Sequence, residues 1–231
     1  MNKNKNSVEL LGYYGSDEII ACSAWTSTSR ELSEEKRARI PALIKKLASD
    51  GHHTPFEKGQ LHFLVNCDIA SHIHLLKHRI SSLNAESARY KELKEDKYYL
   101  PEDWGDIKDS DGVWNNATND YIGETETWAY ILQRYTEIGN ELYHACLRDI
   151  EPLVGRKRAK ESARYFKTYN SQIQADVMFN WRSFVNFQNL RNSKSAQKEI
   201  QDIAQQMLQL VRDIPENPFQ HTIDAFFSKD V

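Results

Sequence analysis

The sequence predicts a single α+β domain in which long helices pack on a small mixed or antiparallel sheet. Two segments, Leu61–Cys67 and Ile173–Phe179, alternate apolar with polar residues, as half-buried strands do. Three longer segments, at residues 33–49, about 120–150 and 195–213, repeat apolar residues at the spacing of one helix face. Because no internal repeat or linker divides the 231 residues, one domain is the simplest interpretation.

The first long helix has clear signals at both ends. Ser33 is a suitable N-cap, and Asp50-Gly51 is a typical stop. Pro41 lies inside this segment, which predicts a kink or an interruption there. After the strand Leu61–Cys67, Asp68 is placed to cap a short helix.

The composition of the chain changes after residue 97. Residues 98–118 are rich in Asp, Gly, Pro and Asn, which predicts a surface insertion. The helix from about Asp120 to Ile150 follows, and its aromatic residues, such as Trp128 and Tyr135, are expected to lie in the core. After the second strand, Asn180 is a suitable N-cap for a helix that continues through Leu190.

Composition excludes several classes of protein. A net charge of −3 argues against a protein that coats nucleic acid, because such proteins cluster many Lys and Arg residues. No apolar run is long enough to span a membrane, and the polar residues 1–6, which we expect to be disordered, do not form a secretory signal. The sequence therefore predicts a soluble, cytoplasmic protein. The three cysteines lie far apart and show no zinc-site spacing, so we predict reduced structural thiols and no metal.

The segment Lys77 to Tyr90 concentrates polar chemistry within fourteen positions: Lys-His-Arg-Ile-Ser-Ser-Leu-Asn-Ala-Glu-Ser-Ala-Arg-Tyr. Cations and hydroxyl groups in this density suit a phosphate-bearing ligand. Cations at the end of a short helix also complement the helix dipole. That structural explanation accounts for the first three residues but not for the Ser, Arg and Tyr that follow.

Three blocks of the chain resemble one enzyme family. His78-Arg79 followed after seven residues by Ser87 resembles the signature of the flavin-dependent thymidylate synthases, where Arg-His-Arg precedes Ser by the same distance. His52–Glu57 is similar to the family's His-x-Thr-Pro-Phe-Glu block. Asn180–Arg191 is similar to its helix Asn-x-Arg-Ser-x-x-Asn-Phe-x-x-Leu-Arg. The blocks keep the family's order and spacing from His52 to about Ala204.

The resemblance implies two sets of binding residues. The residues implied to bind FAD are His52, Thr54, Glu57, Lys77, His78, Arg79, Ile80, Asn180, Arg182 and Asn186. The residues implied to bind dUMP are His74, Lys77, Glu86, Ser87, Arg89, Tyr90, Arg164 and Arg191. Arg191 is the implied catalytic residue, because a cation beside the base would stabilise the negative charge that develops on uracil. In this family Arg164 would come from a neighbouring subunit, which implies a homotetramer with active sites at subunit interfaces.

The implied reaction converts dUMP to dTMP. Methylenetetrahydrofolate would donate the carbon, and FAD reduced by NADPH would donate the hydride. Ordinary thymidylate synthases activate the uracil ring with a cysteine. None of Cys22, Cys67 and Cys146 has neighbours that would make it a nucleophile, in agreement with the flavin chemistry.

Four positions depart from the family pattern. Lys77 replaces the first arginine of the signature, His74 a glutamine, Ala85 a glutamate and Ser195 a flavin-contacting histidine. Lysine keeps the charge at the first position but loses the planar fork of arginine. The changes at Ala85 and His74 leave open a related modification of another uracil nucleotide such as UMP. A non-catalytic nucleotide-binding or RNA-binding homologue is the second alternative.

Overall fold

The structure is a computed structural model that describes residues 2–109 and 126–228. Its strands are β1 (Asn2–Lys3), β2 (Ser7–Tyr14), β3 (Gln60–Asp68), β4 (Ser82–Ala85), β5 (Lys97–Tyr98) and β6 (Gln172–Asn180). Its helices are α1 (Asp17–Trp25), α2 (Glu34–Ser49), α3 (Ile69–Leu76), α4 (Trp128–Val154), α5 (Arg156–Ala163), α6 (Trp181–Arg191), α7 (Lys198–Arg212) and α8 (Gln220–Phe227). Short 3-10 helices cover Thr54–Lys58 and Arg164–Phe166. Four strands form one sheet in the order β2-β3-β6-β4, while β1 and β5 form a parallel pair. The predicted α+β class is confirmed.

The chain groups into two compact units. The first contains the described residues of Met1–Asn6, Asn66–Ile73 and Ala85–Gln174. The second contains the described residues of Ser7–Val65, His74–Asn84 and Ala175–Val231. Each unit therefore combines segments from distant parts of the sequence. Within the described residues, no helix has both the length and the apolar character that crossing a bilayer requires.

The two predicted strands form the centre of the four-stranded sheet. Burial alternates along β3 and along β6, which is the period of two seen in the sequence. In the second unit, Phe63 of β3 stacks on Phe184 of α6 with ring centres 5.8 Å apart. Phe179 of β6 lies 5.3 Å from Phe187 on the same helix. These contacts fix α6 against the sheet.

The predicted helix caps are confirmed. The Ser33 hydroxyl accepts a hydrogen bond from the Lys36 amide, and the Asp68 carboxylate accepts one from the Ser71 amide at 2.8 Å. Helix α2 is continuous from Glu34 to Ser49, so the predicted interruption at Pro41 is not observed. Its buried face, made by Ile40, Ile44 and Leu47, extends on both sides of the proline and stabilises the helix there.

Helix α4 differs from its prediction. It begins at Trp128; residues 120–125 of the predicted helix lie outside the described residues. Trp128 is 43% exposed and Tyr135 is 54% exposed, so the expectation that these two side chains lie in the core is wrong, whereas Tyr143 of the same helix is fully buried. Beside large apolar residues, the buried side contains small or polar ones, including Thr136, Gly139 and Asn140. Their size allows the backbone of another segment to approach closely, which apolar periodicity does not reveal.

Two expectations about exposed segments also need correction. Residues 2–6 are not disordered, because β1 pairs with β5 and the buried Asn6 amide donates to Asp68 at 2.7 Å. The surface insertion does not begin at residue 98, because Tyr98 and Leu100 are buried. Residues 110–118 of that insertion lie outside the described residues.

Candidate active site

A cavity of about 630 Å³ in the second unit gathers most of the residues that the resemblance assigns to the flavin. The lining residues from that set are Glu57, Lys77, His78, Arg79, Ile80, Asn180, Arg182 and Asn186. Arg191 also lines the cavity. Residues that are far apart in the sequence are thus brought together in one depression.

Three local structures shape this cavity. The 3-10 helix Thr54–Lys58 presents Glu57, and the segment 77–80 follows the end of α3. Helix α6 begins beside the cavity, where the Asn180 Oδ1 atom accepts a hydrogen bond from the Ser183 amide at 2.8 Å. This bond satisfies an amide group of the first helical turn and leaves the Asn180 NH₂ group available as a donor.

The electrostatics of the cavity favour an anion. Among its lining side chains, Lys77, Arg79, Arg182 and Arg191 are cations, and Glu57 is the one carboxylate. Arg182 donates to Glu57 at 2.7 Å, but its side chain is 55% exposed, so the pair contributes at most about 1 kcal/mol. A phosphate group can displace so weak a partner.

His78 and Arg191 form the best-defined contact in the cavity. The Arg191 Nε–H donates to His78 Nε2 at 3.0 Å. His78 must therefore be neutral, with its proton on Nδ1. Burial, and then the nearby Arg191 and His74, lower the pKa of His78 to about 4. The ring is fixed edge-on against Phe187, with centroids 4.9 Å apart.

This contact leaves the rest of the arginine free. The terminal NH₂ groups of Arg191 have no hydrogen-bond partner among the described residues. An arginine held through Nε presents two parallel donors, the geometry that recognises a planar ligand edge or a carboxylate. The catalytic residue implied by the family motif is thus oriented by the chain itself.

The remaining members of the two sets in this unit lie elsewhere. His52 and Thr54 are exposed and do not line the cavity. His53 lines it instead, with its ring 5.4 Å from the Phe226 ring. His74 lies 3.1 Å from the Gln197 amide oxygen. The motif contains adjacent histidines, so only the three-dimensional structure distinguishes them.

The residues implied to bind the nucleotide phosphate lie in the first unit. Arg89 Nε donates to Glu161 at 2.9 Å, and its guanidinium lies 5.7 Å from the Tyr90 ring centre. Ser87 belongs to the same turn, because its hydroxyl accepts from the Arg89 amide. Arg164 is exposed at the start of the 3-10 helix Arg164–Phe166.

Both carboxylate oxygens of Glu86 accept hydrogen bonds within the protein. One carboxylate oxygen pairs with Lys91 at 2.5 Å, and the other accepts from the Gln174 amide at 3.1 Å. Glu86 also lines a polar cavity of about 140 Å³ in this unit. The carboxylate therefore has no oxygen without a partner to offer a ligand in this conformation.

A buried lysine anchors the chain that follows Tyr90. The Lys167 ammonium bonds to Asp96 at 2.6 Å and to the Asn140 amide oxygen at 2.7 Å, and it lies 4.5 Å from the Tyr143 ring centre. Burial lowers the pKa of Lys167, while Asp96 opposes that shift. Sequence reasoning missed this cluster, because a lone Lys and Asp 71 residues apart give no local signal.

Known proteins resemble this chain along nearly its whole length. Residues 9–215 match the family model described as thymidylate synthase complementing protein. The chain belongs to the flavin-dependent thymidylate synthase family.

Curated members of that family include the flavin-dependent thymidylate synthase of Pseudothermotoga lettingae, which is 29% identical over 211 residues covering 91% of this chain and 87% of that protein. The one from Kosmotoga olearia is 30% identical over 200 residues covering 87% of this chain and 82% of that protein. The crystal structure of the UMP/dUMP methylase PolB from Streptomyces cacaoi, bound with 5-bromo-dUMP, superposes with a TM-score of 0.73 at 25% identity and covers 99% of this chain and 97% of that one. The chain is therefore an enzyme of the methyltransferase type that defines the family.

The structure also fits the family's dependence on a flavin rather than on a nucleophilic thiol. Burial, and then the adjacent Asp68, raise the pKa of the Cys67 thiol, so it stays protonated at neutral pH. Cys22 and Cys146 are free and half-buried. The predicted role of all three as reduced thiols agrees with these positions. Among the described residues, no group of acidic, histidine and cysteine side chains is arranged to hold a metal ion.

Proposed function

We propose that this enzyme methylates dUMP to dTMP, with methylenetetrahydrofolate as the one-carbon donor and FAD reduced by NADPH as the hydride donor. The observation that carries the proposal is the cavity in which the segment 77–80 and helix α6 meet around Arg191. Its cations, its volume and the orientation of Arg191 suit a flavin dinucleotide beside a uracil base. Its cytoplasmic location stays a prediction from the sequence.

FAD would be held by the side chains that line this cavity. Lys77, Arg79 and Arg182 would neutralise its pyrophosphate, and the free NH₂ group of Asn180 would donate to one of its acceptors. Lys77 offers a compact point charge where arginine would offer a fork, so its share of the binding is electrostatic. Bound and reduced, FAD supplies the hydride for the reaction.

Arg191 would stabilise the charge that develops on the uracil ring. Carbon–carbon bond formation at C5 places negative charge on the base carbonyl oxygens and ring nitrogen. The two terminal NH₂ groups of Arg191 are fixed before the reaction, because His78 holds Nε. A preorganised donor of this kind stabilises the transition state without reorganisation at the moment of reaction.

The nucleotide phosphate would bind Ser87, Arg89 and Arg164. A phosphate monoester carries close to two negative charges, for which arginine supplies planar, paired donors. Arg89 is held through Nε by Glu161, which leaves its two terminal NH₂ groups for the phosphate. Tyr90 packs beside this guanidinium.

We propose a homotetramer with active sites at subunit interfaces, where Arg164 of one subunit serves the site of another. The exposed side of α4 supports self-association. Trp128, Tyr135 and Leu142 recur at seven-residue intervals and are all exposed large apolar residues. Apolar side chains that recur along one exposed side of a helix form a surface that a second subunit can bury.

UMP is the second candidate substrate. Ala85 carries no polar group, and both oxygens of Glu86 are engaged by Lys91 and Gln174. The one carboxylate at these positions already accepts hydrogen bonds from the protein at both oxygens, which weakens its ability to distinguish deoxyribose from ribose. Turnover of dUMP and UMP at matched concentrations measures the preference; a kcat/KM that is higher for UMP would contradict the proposal of dUMP.

The absorption spectrum of purified protein separates the enzyme from a non-catalytic nucleotide- or RNA-binding homologue. Flavin bands that stay with the protein after FAD is added and free FAD is removed support the proposal, while a protein that retains no FAD contradicts it.

Replacing Arg191 with alanine tests the proposed catalytic role. We expect dTMP formation to fall by about 10²–10³-fold, the usual effect of removing one preorganised donor, with the flavin bands unchanged. Arg39→Ala, on the exposed side of α2, is the matched control and should leave the rate unchanged. Full activity of Arg191→Ala would refute the role.

A further inference from the structure

The ammonium group of Lys167 joins three segments of the first unit. It donates to Asp96 Oδ1 at 2.6 Å, to Asn140 Oδ1 at 2.7 Å and to the Leu93 carbonyl oxygen at 3.5 Å. These contacts use all three N–H bonds of the ammonium group within the protein. The Lys167 side chain is only 4% exposed. The proposed function gives this buried cation no role.

Helix α4 supplies one side of the cluster around Lys167. Asn140 and Tyr143 are three residues apart, which places them on the same face of the helix. The Tyr143 ring centre lies 4.5 Å from the ammonium, and the Tyr143 hydroxyl accepts from the Leu93 amide at 3.1 Å. The Asn140 side chain is buried, and its NH₂ group has no hydrogen-bond partner among the described residues. The hydrogen bond from Lys167 therefore sets the orientation of this amide.

Asp96 adopts a backbone conformation that few residues other than glycine adopt. Its φ is +48°, which lies in the left-handed region. Lys167 holds its carboxylate from one side, and His144 Nε2 lies 3.0 Å from it on α4. A disfavoured conformation of this kind persists where the surrounding contacts fix it. The cluster therefore holds the end of the turn that precedes β5.

The cluster is connected to both arginines proposed for the nucleotide phosphate. Arg89 and Asp96 belong to the same stretch of chain, between β4 and β5. Lys167 directly follows the 3-10 helix that begins with Arg164, and its amide donates to the Arg164 carbonyl oxygen at 3.1 Å. The Lys167 side chain thus ties the stretch that contains Arg89 to the turn that presents Arg164.

Burial distinguishes this tie from a second ion pair nearby. Arg156 at the start of α5 pairs with Glu92 at 2.8 Å, but its side chain is 54% exposed. Water screens such a pair, so its contribution is small. Loss of the Lys167 charge would instead leave the Asp96 carboxylate, which is only 22% exposed, without its closest cation. The buried pair is therefore the contact whose removal should release both segments.

We propose that Lys167 is a positioning residue for nucleotide binding, which fixes the segments of Arg89 and Arg164 relative to each other without contacting the ligand. The inference rests on the proposed function for the identity of that ligand, the phosphate of dUMP. Arg164 serves a neighbouring subunit in the proposed assembly, so one Lys167 acts on two active sites. A nucleoside without a phosphate does not use these arginines, and its affinity is independent of Lys167.

Amide hydrogen exchange of the FAD-loaded protein, without nucleotide, tests the positioning itself. Lys167→Met keeps the aliphatic stem and removes the charge, and Lys45→Met makes the same change at an exposed position on α2. We expect residues 87–97 and 164–167 to exchange about tenfold faster or more in Lys167→Met, with α7 unchanged and the control equal to wild type. Unchanged exchange in both segments overturns the inference. Faster exchange throughout the protein also overturns it, because Lys167 would then serve overall stability.

Asp96→Asn is the second variant, in case Lys167→Met does not fold. It keeps the shape of the side chain and leaves an oxygen for Lys167, but it removes the ion pair. We expect faster exchange in the same two segments. Exchange as slow as in wild type would show that the ion pair does not hold them.

Nucleotide affinity is then measured by calorimetry with dUMP and with deoxyuridine. We expect Lys167→Met to bind dUMP about tenfold more weakly or worse, because misplaced arginines no longer form paired hydrogen bonds with the phosphate, and to bind deoxyuridine as wild type does. In steady-state kinetics KM for dUMP should rise while kcat stays unchanged. Equal affinity for dUMP in variant and wild type, or an equal loss for both ligands, overturns the inference. A wild-type protein that binds no dUMP refutes the proposed function, while hydrogen exchange still decides whether Lys167 holds the two segments.

Discussion

Two of the arginines that the proposed reaction depends on are held in the same way, through a hydrogen bond from Nε. His78 accepts from Arg191 Nε at 3.0 Å, and Glu161 accepts from Arg89 Nε at 2.9 Å. In each case the acceptor fixes the plane of the guanidinium and leaves its two terminal NH₂ groups for a ligand. If the acceptor is lost, the guanidinium keeps its positive charge but its plane is no longer fixed. Orientation alone can account for large changes in rate, because small misplacements of catalytic groups are costly.

Substitutions of His78 test whether Arg191 needs to be held in its orientation as well as to carry a positive charge. His78→Gln keeps an acceptor at about the position of Nε2, whereas His78→Phe keeps the ring and removes the acceptor. We expect His78→Phe to lower kcat by about tenfold or more, since Arg191 loses its one hydrogen-bond partner among the described residues, and His78→Gln to retain most of kcat. Steady-state kinetics with the flavin absorbance recorded for each variant make the measurement. Equal kcat for the two variants would show that His78 does not act through Arg191.

The lowered pKa of His78 leads us to predict that the stability of the protein depends on pH. The pKa of His78 is about 4 in the folded protein, against 6.5 as its ordinary value, so between these values the unfolded chain binds the extra proton. The free energy of unfolding therefore falls as pH is lowered from about 6.5 to about 4. Urea denaturation across this range should show a shallower decline for His78→Gln than for wild type. Parallel declines would exclude His78 as a source of the pH dependence.

At the scale of elements, α4 shows how a helix is positioned by a residue without a side chain. A Cβ atom at Gly139 would lie 2.6 Å from the Phe166 carbonyl oxygen, so the backbone of the 3-10 helix Arg164–Phe166 approaches α4 directly. Alanine is the better helix former by about 1 kcal/mol, but overpacking against a backbone atom costs about 1–3 kcal/mol. The steric cost outweighs the gain in helix propensity.

We therefore expect Gly139→Ala to lower the free energy of unfolding by about 1 kcal/mol, and by about 2 kcal/mol at most, measured by urea denaturation. Gly12→Ala is the control, because a Cβ atom there has no neighbour within 4 Å. Since Arg164 lies in the displaced 3-10 helix, a higher KM for dUMP should accompany the loss. An unfolding free energy equal to that of wild type would show that the contact is relieved at no cost.

The sequence predicted those elements whose signals are local. Both central strands alternate, and Ser33, Asp68 and Asn180 each cap a helix in the way their positions indicated. Strand β2 was missed because it lies at the edge of the sheet and none of its residues is buried, so the alternation of Ser7 to Leu10 is short and gives way to the run Leu11–Tyr14. An edge strand needs only one paired side.

Helix α8 was missed for a different reason. Its N-cap, Phe219, makes no side-chain cap bond. The carboxylate of Asp17 accepts instead from the amides of His221 and Thr222, at 2.7 and 3.1 Å. A cap supplied from 204 residues away leaves no signature near the helix it stabilises.

For the candidate site, motifs in three blocks predicted most of the residues that line the cavity proposed for FAD, because each motif is short and its spacing is kept. They did not distinguish His53 from His52, nor reveal Glu161 or Lys167. The residues that contact them in space come from distant parts of the sequence. Only their spatial neighbours give them a role.

At the scale of the whole molecule, subunit assembly is the part of the proposal that one chain cannot complete by itself. If Arg164 and Arg191 of one active site come from different subunits, the single variants Arg164→Ala and Arg191→Ala should each be inactive when pure. Mixed and reassembled, they should regain roughly a quarter of wild-type activity, because one site in four combines two intact residues by chance. Activity after unfolding and refolding the mixture makes the measurement, with each variant refolded alone as control. A mixture as inactive as its components would mean that both arginines of a site belong to one chain.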